Sequence, residues 1–228
     1  VDHEIDVHHL RIDRHARYAL LGERAAPSEV WFALHGYGQL AHRFLRYLRR
    51  LDDGSRLLVA PEGLHRYYVD HAARKVGSTW MTSEDRLTDI DDYVAWLDRL
   101  YDAVFETVRR EDVVVVALGF SQGVQTLCRW LAFGAAAIDT AILWGASVPP
   151  DLDLEVHASR LSRARLFLVG GDEDSIFAPD VMASVGDRLR SAGLPSRSVG
   201  FHGGHRLDPS TLERLAAEIA SGGRSSAS

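Results

Sequence analysis

Ser121 is the residue on which chemistry would turn. It lies in Gly119-Phe120-Ser121-Gln122-Gly123, a Gly-x-Ser-x-Gly pattern. The residues leading into it from Asp112 are mostly β-branched and aliphatic. Such a run reads as a strand buried on both faces, as in the centre of a parallel sheet. Directly after it, Val124, Leu127, Cys128 and Leu131 recur at helical spacing. A strand, a sharp turn bearing serine and then a helix form the setting of a nucleophile elbow. There the serine backbone is strained so that its hydroxyl projects from the sheet edge. Side chains two residues before and after would collide with the turn, hence Gly119 and Gly123. The helix starting at Gln122 would aim free N–H groups and a positive dipole end at the reacting centre. The plainer reading is an ordinary serine in a glycine-bearing loop.

A serine hydroxyl is a weak nucleophile at neutral pH. It needs a base within hydrogen-bond reach and a carboxylate to orient that base. Downstream lie His157, His202 and His205. His157 precedes a strand, whereas His202 and His205 follow the last one. His205 is preferred, because Gly203 and Gly204 permit a tight loop that brings the ring back over Ser121. His202 is too close to the strand end. Asp172 and Asp174 both follow the preceding strand. Asp174 is favoured as the farther out on its loop. Asp172 reads as a turn residue bonding its own backbone. The oxyanion of acyl transfer needs preorganised donors. The Gln122 N–H is one, and the Tyr37 N–H in His35-Gly36-Tyr37-Gly38 is chosen as the other. His35 precedes the nucleophile and is read as a brace for that loop.

These groups need elements to position them. Val30–Leu34, Arg56–Ala60, Thr140–Trp144, Arg165–Val169 and Arg197–Phe201 read as further strands. Leu40, Phe44, Tyr47 or Leu48, and Leu51 mark one helix. Ile90 to Val108 form a clear stripe, with Thr88-x-x-Asp91 as a possible cap. Pro179 starts a helix through Leu189, and Asp208-Pro209 starts the last one. Residues 4–21 alternate loosely and suggest one or two antiparallel edge strands. His8, His9 and His15 there read as solvated strand residues, not metal ligands. Residues 61–85 form a long polar stretch without periodicity, a kind of segment that often carries function. Strands alternating with helices give an α/β fold with a mainly parallel sheet. Its ligands gather at the carboxyl ends of the strands.

Composition narrows the setting. The chain has 228 residues, 46% of them hydrophobic, enough for one sizeable core. One domain over residues 1–220 and a disordered tail over 221–228 are expected. The net charge is −6 with acids and bases interspersed, which argues against a nucleic-acid partner. The single cysteine, Cys128, excludes an intrachain disulfide and suits a reducing compartment. The N-terminus is too charged for a secretory signal and no apolar run reaches a membrane span. A cytoplasmic protein without metal or cofactor is expected; the oligomeric state is left open.

Four motifs together are similar to the phospholipase/carboxylesterase family of α/β hydrolases, which includes acyl-protein thioesterases. They are Leu34-His35-Gly36-Tyr37-Gly38, the Gly-Phe-Ser-Gln-Gly elbow, Gly171-Asp172-Glu173-Asp174 and Gly203-Gly204-His205. The resemblance spans roughly residues 28–220. It implies an α/β-hydrolase fold with Ser121 as nucleophile, Asp174 as acid and His205 as base. Tyr37 and Gln122 fall at its oxyanion-hole positions. The chain departs from the family at Gln39, often acidic there, at Gly170, usually histidine, and at Val124, commonly glycine. Trp80-Met81 only loosely resembles the family's Trp-aromatic-Asp segment. The connections are too short for a large cap domain. The expected activity is hydrolysis of small to medium carboxylic esters, or thioesters, through an acyl-enzyme. Trp80, Met81 and Phe177 are candidate pocket residues, and each reads equally well as a core residue. A ligand-binding protein without catalysis, or an acyltransferase or peptidase using the same trio, are the alternatives.

Overall fold

A computed structural model describes residues 4–223. Nine strands are present among them: β1 (Tyr18–Gly22), β2 (Glu29–Leu34), β3 (Arg56–Pro61), β4 (His65–Asp70), β5 (Lys75–Thr79), β6 (Val114–Phe120), β7 (Thr140–Trp144), β8 (Arg165–Gly171) and β9 (Ser196–Phe201). The helices are α1 (Ala41–Phe44), α2 (Arg86–Phe105), α3 (Gln122–Phe133), α4 (Ala158–Leu161), α5 (Pro179–Ser191) and α6 (Pro209–Gly223). Seven strands form one sheet in the order β1-β3-β2-β6-β7-β8-β9. All neighbours are parallel except β1 and β3. β6, which leads to Ser121, is therefore central.

The continuous apolar run of β6 has its explanation in two cores. Val115 and Ala117 pack on the face covered by α2, α3 and α5. Val116, Leu118 and Phe120 pack on the opposite face with α6 and Phe44. Successive strand residues point to opposite faces, so a strand with helices on both sides must be apolar at every position. β2 obeys the same rule, with Val30, Phe32 and Leu34 on one side and Trp31 and Ala33 on the other.

Several expectations are corrected. Residues 4–21 supply one edge strand, β1; residues 4–17 have no regular structure, so His8, His9 and His15 are not strand residues. His9 Nε2 instead meets Asp85 Oδ2 at 2.7 Å. The helix expected from Leu40 is short, and the chain tightens into a 3-10 turn over Leu45–Leu51. α2 begins at Arg86, before the Thr88 cap. Residues 61–85 contain an antiparallel ribbon, β4 paired with β5. α6 runs on through Gly223, so Ser221–Gly223 are helical; the rest of the expected tail lies outside the described residues. No helix among the described residues is long and apolar enough to cross a membrane.

Candidate active site

Ser121 joins β6 to α3 with φ 53° and ψ −120°. A non-glycine residue reaches this region only at an energetic cost that the surroundings must sustain. Its N–H donates to Trp144 O at 2.9 Å, which ties the elbow to the end of β7. The flanking glycines answer two different crowdings. A Cβ on Gly119 would lie 2.4 Å from Gly123 O, within the turn. A Cβ on Gly123 would lie 2.2 Å from Leu34 O, so that glycine lets α3 press against the end of β2.

Asp174 and His205 come together from the loops after β8 and β9. His205 Nδ1–H donates to Asp174 Oδ2 at 2.8 Å. Asp174 Oδ1 accepts the N–H groups of Ile176 at 2.8 Å and Phe177 at 3.0 Å. Burial pushes this carboxyl up, but the Phe177 N–H, His205 and the Ile176 N–H outweigh it. The net pKa is below the usual carboxylate range. An ionised Asp174 fixes the proton on Nδ1 and leaves Nε2 free. The imidazole lies against the Phe120 ring, with centroids 5.0 Å apart. It also lies over Gly145, where a Cβ would stand 3.1 Å from its Cε1. Phe120 precedes Ser121, and Gly145 follows the Trp144 carbonyl that holds Ser121. His205 and Ser121 thus share one corner, although no hydrogen bond joins them among the described residues. Such bonds are often long before substrate binds.

The other two sequence candidates pair with each other. His202 Nδ1 and Asp172 Oδ2 are 3.2 Å apart, with the side chains 83% and 56% exposed. Asp172 Oδ1 accepts the Gly203 N–H from the neighbouring loop at 2.9 Å, so it is not merely closing its own turn.

The loop after β2 abuts the serine: a Cβ on Gly36 would lie 3.3 Å from Ser121 Cβ. Within it, Gly36 N–H donates to Gln39 Oε1 at 2.8 Å and Gly38 N–H to Ser78 O at 2.9 Å. Among the described residues, the Tyr37 and Gln122 N–H groups donate no hydrogen bond. His35 is fully buried, and burial drives its pKa down to about 4. Its Nε2 accepts the Gly63 N–H at 3.0 Å, so the proton sits on Nδ1, which donates to Gly36 O at 2.8 Å. A neutral imidazole thus links the loop to the end of β3.

Two of the three pocket candidates are core residues. Trp80 is fully buried, stacks on His35 at 4.9 Å and donates its indole N–H to His35 O at 2.9 Å. A ring so enclosed braces the loop from behind and cannot line an open pocket. Phe177 is also buried; it walls a cavity of about 390 Å³ with Gly170, Met182 and Asp172, a lining that does not include Ser121. Met81 remains partly exposed, with Sδ 3.5 Å from Arg129 Nη1.

Supports that sequence reasoning missed are now evident. The Gln122 side chain turns away from the serine, donating Nε2–H to Thr79 Oγ1 at 2.8 Å and to Met81 O at 3.1 Å. Glu62, 1% exposed, is gripped by Arg17 at 2.9 and 2.8 Å and accepts the Ala41 N–H at 3.2 Å. It joins the residue before β1 to the start of α1, directly after the loop that follows β2. A carboxylate at the carboxyl end of a strand was the available signal. Trp144 Nε1–H donates to Arg206 O at 2.9 Å, holding the loop that carries His205 against β7.

Known structures share this architecture. Maize acyl-protein thioesterase 2 superposes with a TM-score of 0.70 over 91% of this chain and 99% of its own, at 17% identity. The chain has the α/β-hydrolase fold. The carboxylesterase of Mesorhizobium loti gives a TM-score of 0.68 over 90% of this chain and 94% of its own, at 18% identity. For the Bacillus cereus carboxylesterase the values are 0.67, 90%, 94% and 16%. No protein-family model matches the chain, and no curated protein does.

Proposed function

We propose that the protein is a serine hydrolase cleaving small to medium carboxylic esters, or thioesters, through an acyl-enzyme. One observation carries this reading: a strained serine at a helix start shares a corner with a histidine held by a buried aspartate and with two undirected backbone amides. Ser121 Oγ attacks the carbonyl carbon while His205 Nε2 takes its proton. The oxyanion accepts hydrogen bonds from the Tyr37 and Gln122 N–H groups, which give up no other bond to donate. The imidazolium, held by Asp174, protonates the leaving alkoxide or thiolate. A water molecule then loses a proton to His205 and attacks the acyl carbon, and Ser121 is released. Esterase and thioesterase structures of the same architecture support this class. The single thiol does not compete as nucleophile, because Cys128 is buried and its pKa is pushed up to about 12. The short connections leave no large cap, and we place the protein in the cytoplasm.

The test is a series of p-nitrophenyl esters and matched thioesters of graded chain length. Wild type should turn over the shorter members. Ser121→Ala should retain no more than about a thousandth of that rate. Equal turnover by both proteins would remove Ser121 from the mechanism.

A further inference from the structure

Two consecutive glycines, Gly203 and Gly204, lead into His205. Glycine has the widest backbone freedom of any residue, so the peptide carrying the base has little stiffness of its own. Gly203 is buried with φ +140°, and a Cβ there would meet the Arg206 guanidinium at 2.7 Å. The restraint comes from the acid loop. Glu173 N–H donates to Gly203 O at 3.0 Å, and Asp172 N–H donates to Phe201 O at 3.0 Å. The loops touch so closely that a Cβ on Gly171 would lie 2.0 Å from Gly203 O. The Gly203 N–H goes to Asp172 Oδ1 at 2.9 Å. Among the described residues, Asp172 is the one side chain bonded to the backbone of either glycine.

Asp172 has a second contact, to His202, but both side chains are largely in water. Exposed ion pairs contribute little. A part-buried amide left without its acceptor costs more. The contact that matters is therefore the one to Gly203.

We propose that Asp172 is a positioning residue: its bond to the Gly203 N–H orders the glycine pair and so holds His205 against Asp174 and over Gly145. The proposal rests on Asp174 and His205 being the acid and base of a hydrolase. Three substitutions separate its parts. Asp172→Ala removes the acceptor, Asp172→Asn keeps it, and His202→Ala removes only the exposed pair. Asp172→Ala should lower kcat for a p-nitrophenyl ester about tenfold with KM unchanged, the loss expected for one hydrogen bond to a charged acceptor. Asp172→Asn and His202→Ala should stay within about twofold of wild type.

Gly204 supplies a rescue. Its φ is not in the left-handed region, and a Cβ would lie an ordinary 3.7 Å from Glu173 O. Alanine there stiffens the same peptide, so Asp172→Ala/Gly204→Ala should recover part of the lost kcat. A merely structural aspartate would show no such recovery. Amide hydrogen exchange over 203–205, read alongside thermal unfolding, should quicken in Asp172→Ala and not in Asp172→Asn. Wild-type kcat in Asp172→Ala, or an equal loss in Asp172→Asn, would overturn the proposal. If wild type ignores esters altogether, the hydrolase reading fails and takes the catalytic half of the proposal with it. The exchange comparison still decides whether Asp172 orders the loop, and unchanged exchange would overturn that half too.

Discussion

Asp174–His205 and Asp172–His202 bridge the same two loops, yet they are built for different tasks. In the first, the aspartate side chain is 2% exposed and its second oxygen is held by two backbone amides. In the second, both partners face water. The chemistry is the same; the surroundings differ. A pair shielded from water keeps one geometry and one tautomer, which proton transfer requires. An exposed pair exchanges with solvent and is screened by salt. Burial rather than residue type distinguishes the candidate catalytic pair from its neighbour.

The largest expected effect breaks the comparison at its root. Asp174→Asn keeps the shape but loses the charge that fixes the His205 tautomer, and kcat should fall about 10³- to 10⁴-fold. His205→Ala should fall at least as far, whereas His202→Ala should barely change the rate. A loss in His202→Ala matching that in His205→Ala would reverse the assignment of the base. Kinetics with one chromogenic ester would decide it.

A third histidine sharpens the role of burial. His35 is neutral in the folded protein, with its pKa lowered from 6.5 to about 4. Between those values the unfolded chain binds a proton that the folded chain refuses. Stability should therefore decline as pH falls from about 6.5 to about 4, by about 3 kcal/mol from this group. His35→Gln should flatten that part of the curve, measured by denaturant unfolding at several pH values. An unchanged slope would mean that the ring is not kept neutral.

Asp174→Ala should destabilise the fold by about 2 kcal/mol, because the Ile176 and Phe177 amides lose their acceptor. The carboxyl pKa is depressed in the fold, so its contribution is present above the ordinary carboxylate pKa. It is lost as pH falls through the depressed value. Thermal unfolding of both proteins at neutral and acid pH should show the gap narrowing in acid. The smallest effect is expected at the exposed pair. His202→Ala should leave the unfolding midpoint nearly unchanged, and any difference should vanish in high salt.

Much of this site was legible because its signals are local. The apolar run of β6 has to be buried on both faces, and Gly119 answers the crowding of the turn itself; the crowding at Gly123 comes instead from the end of β2, which the local sequence does not show. The Asp172–His202 pair was not legible: which acid meets which histidine depends on the alignment of loops 30 residues apart. The ribbon of β4 and β5 was missed for a different reason. β4 is mostly exposed on both faces, so no burial alternation marks it. Trp80 read equally as a pocket or a core residue, because nothing local in the sequence decides which. Its partner, His35, lies 45 residues away. The Gln122 side chain gave no sign in the sequence that it bonds Thr79 and Met81, which lie more than 40 residues away.

The most direct test of the central claim is peptide mapping by mass spectrometry after reaction with a fluorophosphonate. The account predicts a single phosphonyl adduct on Ser121, formed at least about a hundredfold more slowly in His205→Ala. An adduct on another residue, or an undiminished rate without the His205 imidazole, would contradict it.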